Sequence, residues 1–378
     1  MRWVTYFPEI HNIHLTKDLG LLPYFMQEVA GYDASLMARF PEPAYPALEG
    51  EVRGLKTISL DDRGTWFFTE RASVHYLKKH AGEIDVLNLY HLSRHTLVYG
   101  YLFKKNNRRG KLYLKLDAYT AHLKKRKKYA RNPIKHAILK WLESRFFKVV
   151  DLISVESREG LEVASKTYPK LREKLFYLPN GCNDIYLKKH FKSPFEKENI
   201  ILSVGRPGSA DKNYELLIKA LPFLNLGNWK IRIAGPVSAE FEKAWEAAVA
   251  EYPETARKIE FLGGINDRLN LYEEFARAKV FFLPSRVESF GIAFVEALYF
   301  GCMLVGHKGM SAYGDLSANG AYGMYFEDND PQRFAGAIHE AMQRTGEPEL
   351  QEKIENHASA NFYWSSLATQ LDKRLREV

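Results

Sequence analysis

Two pairs of residues in this sequence have types and spacing that could do chemistry. Glu288 and Glu296 stand eight apart in R-V-E-S-F-G-I-A-F-V-E-A-L, and Arg206 and Lys212 stand six apart in V-G-R-P-G-S-A-D-K-N. Paired carboxylates raise glycoside hydrolysis first, which needs carboxyl groups about 5 to 5.5 Å apart for retention or roughly 6.5 to 9.5 Å for inversion. If both glutamates were helical, their backbones would lie ~12 Å apart along the axis. That spacing suits two separate hydroxyl-holding tasks better than an acid–base pair. The cations follow a glycine, Gly205, at the end of an apolar run, and Lys212 lies near a helix start, so both could rest on a phosphate group. Neither G-x-x-x-x-G-K-[ST] nor G-x-G-x-x-G is present. The plain alternative is a loop carboxylate, a surface helix carboxylate and two solvated surface cations.

Positioning these side chains requires strands that end beside them. Residues 280–283 form a short apolar run ended by Pro284, which reads as a buried parallel strand, and Ile292, Val295, Ala297 and Leu298 suit a packed helix beyond the loop. In an open α/β sheet, ligands sit past the carboxyl ends of the strands, where helix N-termini offer free N–H groups. Upstream, 200–204, 229–234 and 259–262 read as strands separated by helices over 214–224, to 252, and 271–278, with Asp267 as an N-cap. In the first half, strands are expected at 2–7, 35–39, 86–89, 112–116, 149–155 and 174–178, and helices at 19–30, 69–80 and 133–148. Ser157 is an expected N-cap, and Pro179-Asn180-Gly181 a turn. Strands alternating with helices of this length imply parallel βαβ units. The expected fold is α/β, two Rossmann-like domains facing each other across a cleft, with a charged linker at 188–199.

Length and charge narrow the function classes. A chain of 378 residues exceeds what one core usually supports. The two cysteines, Cys182 and Cys302, have no CxxC spacing, so neither a disulfide framework nor a zinc site is expected, and a reducing cytoplasm fits. The first residues lack an apolar signal core, and no run of 18 apolar residues occurs. The net charge of +8 is concentrated: residues 101–150 hold 16 Lys and Arg against 2 Asp and Glu. A basic loop over 122–132 precedes a helix in which Ile134, Ile138, Trp141 and Leu142 recur at near-helical spacing beside Lys135, Lys140 and Lys148. Residues 122–148 could therefore hold the protein on an anionic membrane, peripherally on the inner face. For the apolar stripe itself core packing is the favoured reading, and the membrane role rests on the basic loop. A nucleic-acid reading lacks any recognition motif, and no nucleic-acid partner is expected.

In order and spacing, S-V-G-R-(x5)-K-N-Y-E-L-L-I-K-A, R-I-A-G-P, I-E-F-L-G, F-F-L-P-S and E-S-F-G-I-A-F-V-E-A-L resemble the donor-binding half of retaining GT-B glycosyltransferases of family 4. F-Y-W-S-S-L at 362–367 resembles the start of that family's last helix, which crosses back to the first domain. The resemblance implies an acceptor-binding domain at 1–184 with 362–378 packed on it, and a nucleotide-sugar domain at 185–361. It implies transfer from a UDP- or GDP-linked sugar to a hydroxyl of a glycan or lipid-linked acceptor, with no cofactor and no metal. Position by position, Arg206 and Lys212 would hold the donor diphosphate, and Glu288 the donor sugar. Ser289 and the backbone of Phe290, Gly291 and Ile292 would reach the sugar or distal phosphate, and Glu296 the ribose. Gly205, Gly235 and Gly263 would line the nucleotide, and Gly20 would let the first loop approach the diphosphate. Where many members have a histidine this chain has Asp117, which would line the reaction centre or cap a loop. A nucleotide-sugar epimerase or a phosphorylase of the same shape stays open as an alternative.

Overall fold

The computed structural model describes residues 1–60, 64–66, 69–116, 132–286 and 288–378. The chain folds as two compact units, Met1–Tyr186 with Trp364–Val378, and Leu187–Tyr363. In the first unit, strands β1 (Arg2–Glu9), β2 (Asp33–Arg39), β3 (Lys56–Ser59), β6 (Val86–Tyr90), β7 (Lys111–Leu116), β8 (Leu152–Val155) and β9 (Leu175–Tyr177) form a parallel sheet in the order β3-β2-β1-β6-β7-β8-β9. A short antiparallel ribbon, β4 (Thr65–Trp66) with β5 (Thr69–Glu70), precedes the helix Arg71–His80. Successive residues of β1 face opposite layers. Val4 packs with Leu87, Phe103 and Phe146, whereas Trp3 packs with Phe25, Tyr113 and Leu371, because strand side chains alternate.

The C-terminal helix Trp364–Glu377 belongs to this first unit. Trp364 is fully buried there, Ser365 donates from its backbone N–H and its hydroxyl to Asp184 (3.0 and 2.7 Å), and Tyr32 donates to Asp372 (2.9 Å).

In the second unit, β10 (Glu198–Val204), β11 (Lys230–Ala234), β12 (Ile259–Gly263), β13 (Ala278–Leu283), β14 (Met303–His307) and β15 (Gly323–Phe326) form a parallel sheet in the order β12-β11-β10-β13-β14-β15. Each sheet changes direction of winding once, between β1 and β6 and between β10 and β13. These are the topological switch points at which such sheets bind ligands.

Among the described residues, the helices Arg94–Asn106, Asp184–His190, Pro331–Arg344 and Leu350–Asn361 are additions to the expected elements. Arg94–Asn106 buries seven of its thirteen residues, which blurs the helical period. Asp184–His190 and the early start of β10 leave only 191–197 of the expected linker outside regular structure.

Candidate functional site

The second unit's switch point is built from backbone before any side chain. Ser203, fully buried on β10, donates to the Phe282 carbonyl of β13 (2.7 Å) and shares a 2.7 Å hydrogen bond with the Tyr214 hydroxyl, so it fixes the two strands that flank the switch. At the strand ends, Gly205 N–H donates to the Ala234 carbonyl (2.9 Å), and Gly235 N–H to the Gly263 carbonyl (2.7 Å). Gly235 has φ +141°, and a Cβ there would lie 1.6 Å from the Gly205 carbonyl oxygen. No side chain fits between these two loops.

The loop after β10 is stapled to the loop after β13. Asn213, in the left-handed region at φ 56° and buried, donates from Nδ2 to the Pro284 carbonyl and to Asn329 Oδ1, both at 3.0 Å. Arg286 N–H donates to the Asp211 carbonyl (3.0 Å). This brings together residues 76 apart in sequence: Lys212 Nζ lies 2.7 Å from Glu288 Oε2 and 3.8 Å from Asp211. The Ser209 hydroxyl, with the charges of Lys212 and Arg206, holds the Asp211 carboxyl below its usual range despite partial burial. Arg206 is exposed and has no ion-pair partner among the described residues. The site therefore offers one free guanidinium beside an ammonium already shared with a carboxylate.

Gly291, at φ +85°, caps the helix Ile292–Tyr299. Ser289 is exposed, Phe290 and Gly291 are buried, and Ile292 is half-buried at the helix's first position. Glu296 lies one turn further in and is buried, where its Oε1 accepts from Arg268 and, at 3.4 Å, from the Tyr272 hydroxyl. The Arg268 guanidinium also sits over the Tyr272 ring at 4.6 Å. Neither Arg268 nor Asn213 stood out in the sequence reading. The signal for Arg268 was its place directly after the N-cap Asp267, where a helix dipole disfavours a cation, so an arginine there needs an anion of its own.

Gly205, Arg206, Lys212, Gly235, Gly263, Glu288, Ser289, Phe290, Gly291, Ile292 and Glu296 all fall in the second unit, at or just beyond the carboxyl ends of β10 to β13. Gly20 lies near the start of a helix, as the sequence pattern implied. It is the third residue of the helix Asp18–Glu28 in the first unit, and a Cβ there would lie 2.2 Å from the Leu15 carbonyl oxygen, so packing against its own preceding turn accounts for the glycine. Asp117 lies outside the described residues. Just before it, the buried Lys115 at the end of β7 donates to Asn180 Oδ1 (2.7 Å) and lies 3.5 Å from Asp18. Among the described residues no cluster of three or more His, Cys, Asp or Glu is arranged to hold a metal ion.

Two parallel doubly wound units, the first of which takes back the C-terminal helix, have the GT-B architecture. Residues 186–360, nearly all of the second unit, match the family described as glycosyl transferases group 1. A glycogen synthase of Edwardsiella ictaluri is 28% identical over 172 residues, 42% of this chain and 34% of that protein. The Campylobacter jejuni GalNAc-alpha-(1->4)-GalNAc-alpha-(1->3)-diNAcBac-PP-undecaprenol alpha-1,4-N-acetyl-D-galactosaminyltransferase is 28% identical over 172 residues, 44% of this chain and 45% of that one. These alignments span less than half the length of those relatives. In fold, Anabaena Alr3699/HepE in complex with UDP superposes with a TM-score of 0.72 at 16% identity over 100% of both chains. The lipopolysaccharide outer core galactosyltransferase WaaB superposes at 0.71, with 14% identity, over 100% of this chain and 99% of that one.

Proposed function

We propose that this chain is a retaining glycosyltransferase that moves a hexosyl-type group from a UDP- or GDP-linked sugar to a hydroxyl of a glycan or lipid-linked saccharide. The observation that carries the reading is the Lys212–Glu288 pair at the switch point, beside the unpaired Arg206. A diphosphate with two or more negative charges competes well with one carboxylate for Lys212. When the donor binds, Lys212 and Arg206 turn to the phosphates, and Glu288, released, accepts hydrogen bonds from the sugar hydroxyls. Charge that builds on the leaving diphosphate meets these two cations and the N–H groups at Gly291 and Ile292, so the stabilisation is electrostatic and needs no metal. Glu296, held by Arg268 beyond this point, binds the ribose. The departing phosphate takes the acceptor's proton on the face from which it leaves, which gives retention. Asp117 and the first unit serve the acceptor.

The two named sequence relatives are a glycogen synthase and a transferase acting on an undecaprenol-linked saccharide, and both support a glycan or lipid-linked acceptor. Support for a membrane partner comes from the helix Pro133–Val149, whose Leu139, Leu142 and Phe146 face the core while Ile134 and Trp141 are 70% and 50% exposed. Arg145 lies over the Trp141 ring at 5.3 Å, and the basic segment 122–131 adjoins in sequence. No described helix is long and apolar enough to cross a membrane. The reading therefore places the protein on the cytoplasmic face of the cell membrane, held peripherally.

The test is a thermal-shift and mass-spectrometric screen against UDP, GDP and their sugars, followed by NMR of the product anomer. A nucleotide that binds only the native state raises the melting temperature by mass action. No shift with any of them at millimolar concentration refutes the donor assignment, and an inverted product refutes retention.

A further inference from the structure

Because all six strands of the second sheet are parallel, its amino ends form an edge opposite the donor loops, roughly 15 Å away along a five-residue strand such as β11. That edge carries an open groove of about 430 Å³ lined by Asn225, Trp229, His339, Met342 and Gln343. Trp229 immediately precedes β11, and His339, Met342 and Gln343 are on the last turns of the helix Pro331–Arg344. We propose that this groove is a second glycan-binding site, which holds a distant part of a neutral oligosaccharide or polysaccharide chain while the donor loops act elsewhere. The choice of ligand rests on the glycan-acceptor reading above.

The chemistry of the lining selects a sugar chain. Trp229 is half-buried, and its indole N–H has no hydrogen-bond partner among the described residues. Lys279 Nζ lies 5.6 Å from the ring centroid, but it donates to Asn199 (2.7 Å), so it is already engaged. His339 Nε2 accepts from the Asn225 backbone N–H (2.9 Å), which leaves Nδ1 as the ring's donor. The side-chain amide of Gln343 is exposed and without a partner among the described residues, and the Asn225 Nδ2 donors are likewise uncommitted. The groove has no carboxylate for a cation and no uncommitted ammonium or guanidinium for a phosphate. What it has is an aromatic face, a thioether and several neutral donors and acceptors. A pyranose presents an apolar C–H face and a rim of hydroxyls, which matches that set. The groove is shallow, so it fits a chain laid along the surface better than a small molecule enclosed in a pocket.

The experiment is titration of the full-length chain, without nucleotide, by malto-, cello- and laminari-oligosaccharides of six or seven units, read by calorimetry and saturation-transfer NMR. At least one series is expected to bind, with Trp229→Ala and Gln343→Ala each weakening it, the tryptophan variant by about tenfold or more, and Trp229→Phe retaining most of it. In activity assays Trp229→Ala should raise the KM for a long acceptor and leave kcat and the KM for a short one unchanged. Wild-type chain that binds none of the three series overturns the proposal. So does binding that is equal in wild type and in both alanine variants, or a Trp229→Ala change in oligomeric state with no change in glycan binding. UDP thermal shifts on the same samples separate the two readings: lost nucleotide binding with intact glycan binding counts against the donor assignment, and the reverse counts against the groove.

Discussion

At the residue scale, the two glutamates differ more than their spacing in the sequence conveyed. Glu288 is in a loop and shares Lys212, whereas Glu296 is buried and holds Arg268. In the proposed site Glu288→Gln removes the charge assigned to the transferred sugar, so turnover at saturating donor should fall more than nucleotide affinity does. Full turnover in that variant, measured as initial rates beside a nucleotide titration, would remove Glu288 from the reaction. Glu296→Ala should weaken donor binding and also destabilise the second unit, by about 1.5 to 3 kcal/mol, because it removes the buried carboxylate that accepts from the half-buried Arg268 guanidinium. Glu296→Gln, which keeps an acceptor for Arg268, should recover part of that stability but less of the affinity. Denaturant unfolding with and without UDP distinguishes the two effects. A Glu296→Ala protein as stable as wild type would show that the Arg268 pair is not the structural contact described here. Gly235→Ala tests the backbone in the same way: with a Cβ 1.6 Å from the Gly205 carbonyl, the two loops must part, and nucleotide binding should be lost before the fold is.

At the element scale, the helix Leu350–Asn361 carries its own pH dependence. His357 Nε2 lies 3.2 and 3.1 Å from the Asp315 and Leu316 carbonyls, and Nδ1 lies 3.2 Å from Asn361 Nδ2. This network uses the neutral ring fully, with Nε2–H donating and Nδ1 accepting, and burial lowers the pKa from its ordinary 6.5 although the two carbonyls pull it up. A folded-state pKa below the unfolded one contributes stability that is present above pH 6.5 and is lost as pH falls through the folded value. The His357 imidazole should therefore titrate by NMR with a midpoint below 6.5, and the stability advantage of wild type over His357→Gln should shrink between pH 7 and pH 5. A midpoint at or above 6.5 contradicts this. The helix Pro133–Val149 makes a second test: Trp141→Glu or Ile134→Glu should abolish a salt-sensitive binding to anionic liposomes, and binding that survives both changes, or high salt, removes this face from the membrane. The apolar spacing of this helix was legible from sequence, but which residues face inward was not. Leu142 is buried and Trp141 beside it is half exposed, and the neighbouring helix Arg94–Asn106, whose mixed burial hid its period, forms the packing partner that separates them. Strands such as β10 and β13 read clearly because they are buried on both faces and end in Gly205 or Pro284, whereas β3, exposed along most of its length, left no such signal.

At the scale of the whole molecule, the chain's sequence pattern gave the two α/β halves and the donor loops, but not the pairings that link positions far apart. Lys212 meets Glu288 across 76 residues and Arg268 meets Glu296 across 28, contacts that depend on strand order, and strand order is not written in local periodicity. The strand order also fixes where a bound nucleotide should leave its mark. Every expected donor residue except Gly20 falls in the second unit, so hydrogen exchange with saturating UDP or GDP should show protection at 205–213, 284–292 and 263–268. At a hundredfold excess over Kd a ligand that binds only the native state adds about 2.7 kcal/mol, and the unit that holds it should gain most of that against local opening. Gly20 decides the remaining question. Its glycine is already accounted for by the Leu15 carbonyl, so if it has no part in donor binding, amides at 17–21 should exchange at the same rate with and without nucleotide. Slower exchange at 17–21 would instead assign the start of the helix Asp18–Glu28 to the diphosphate. Protection confined to the first unit, with 205–213 and 284–292 unchanged, would overturn the donor site as a whole.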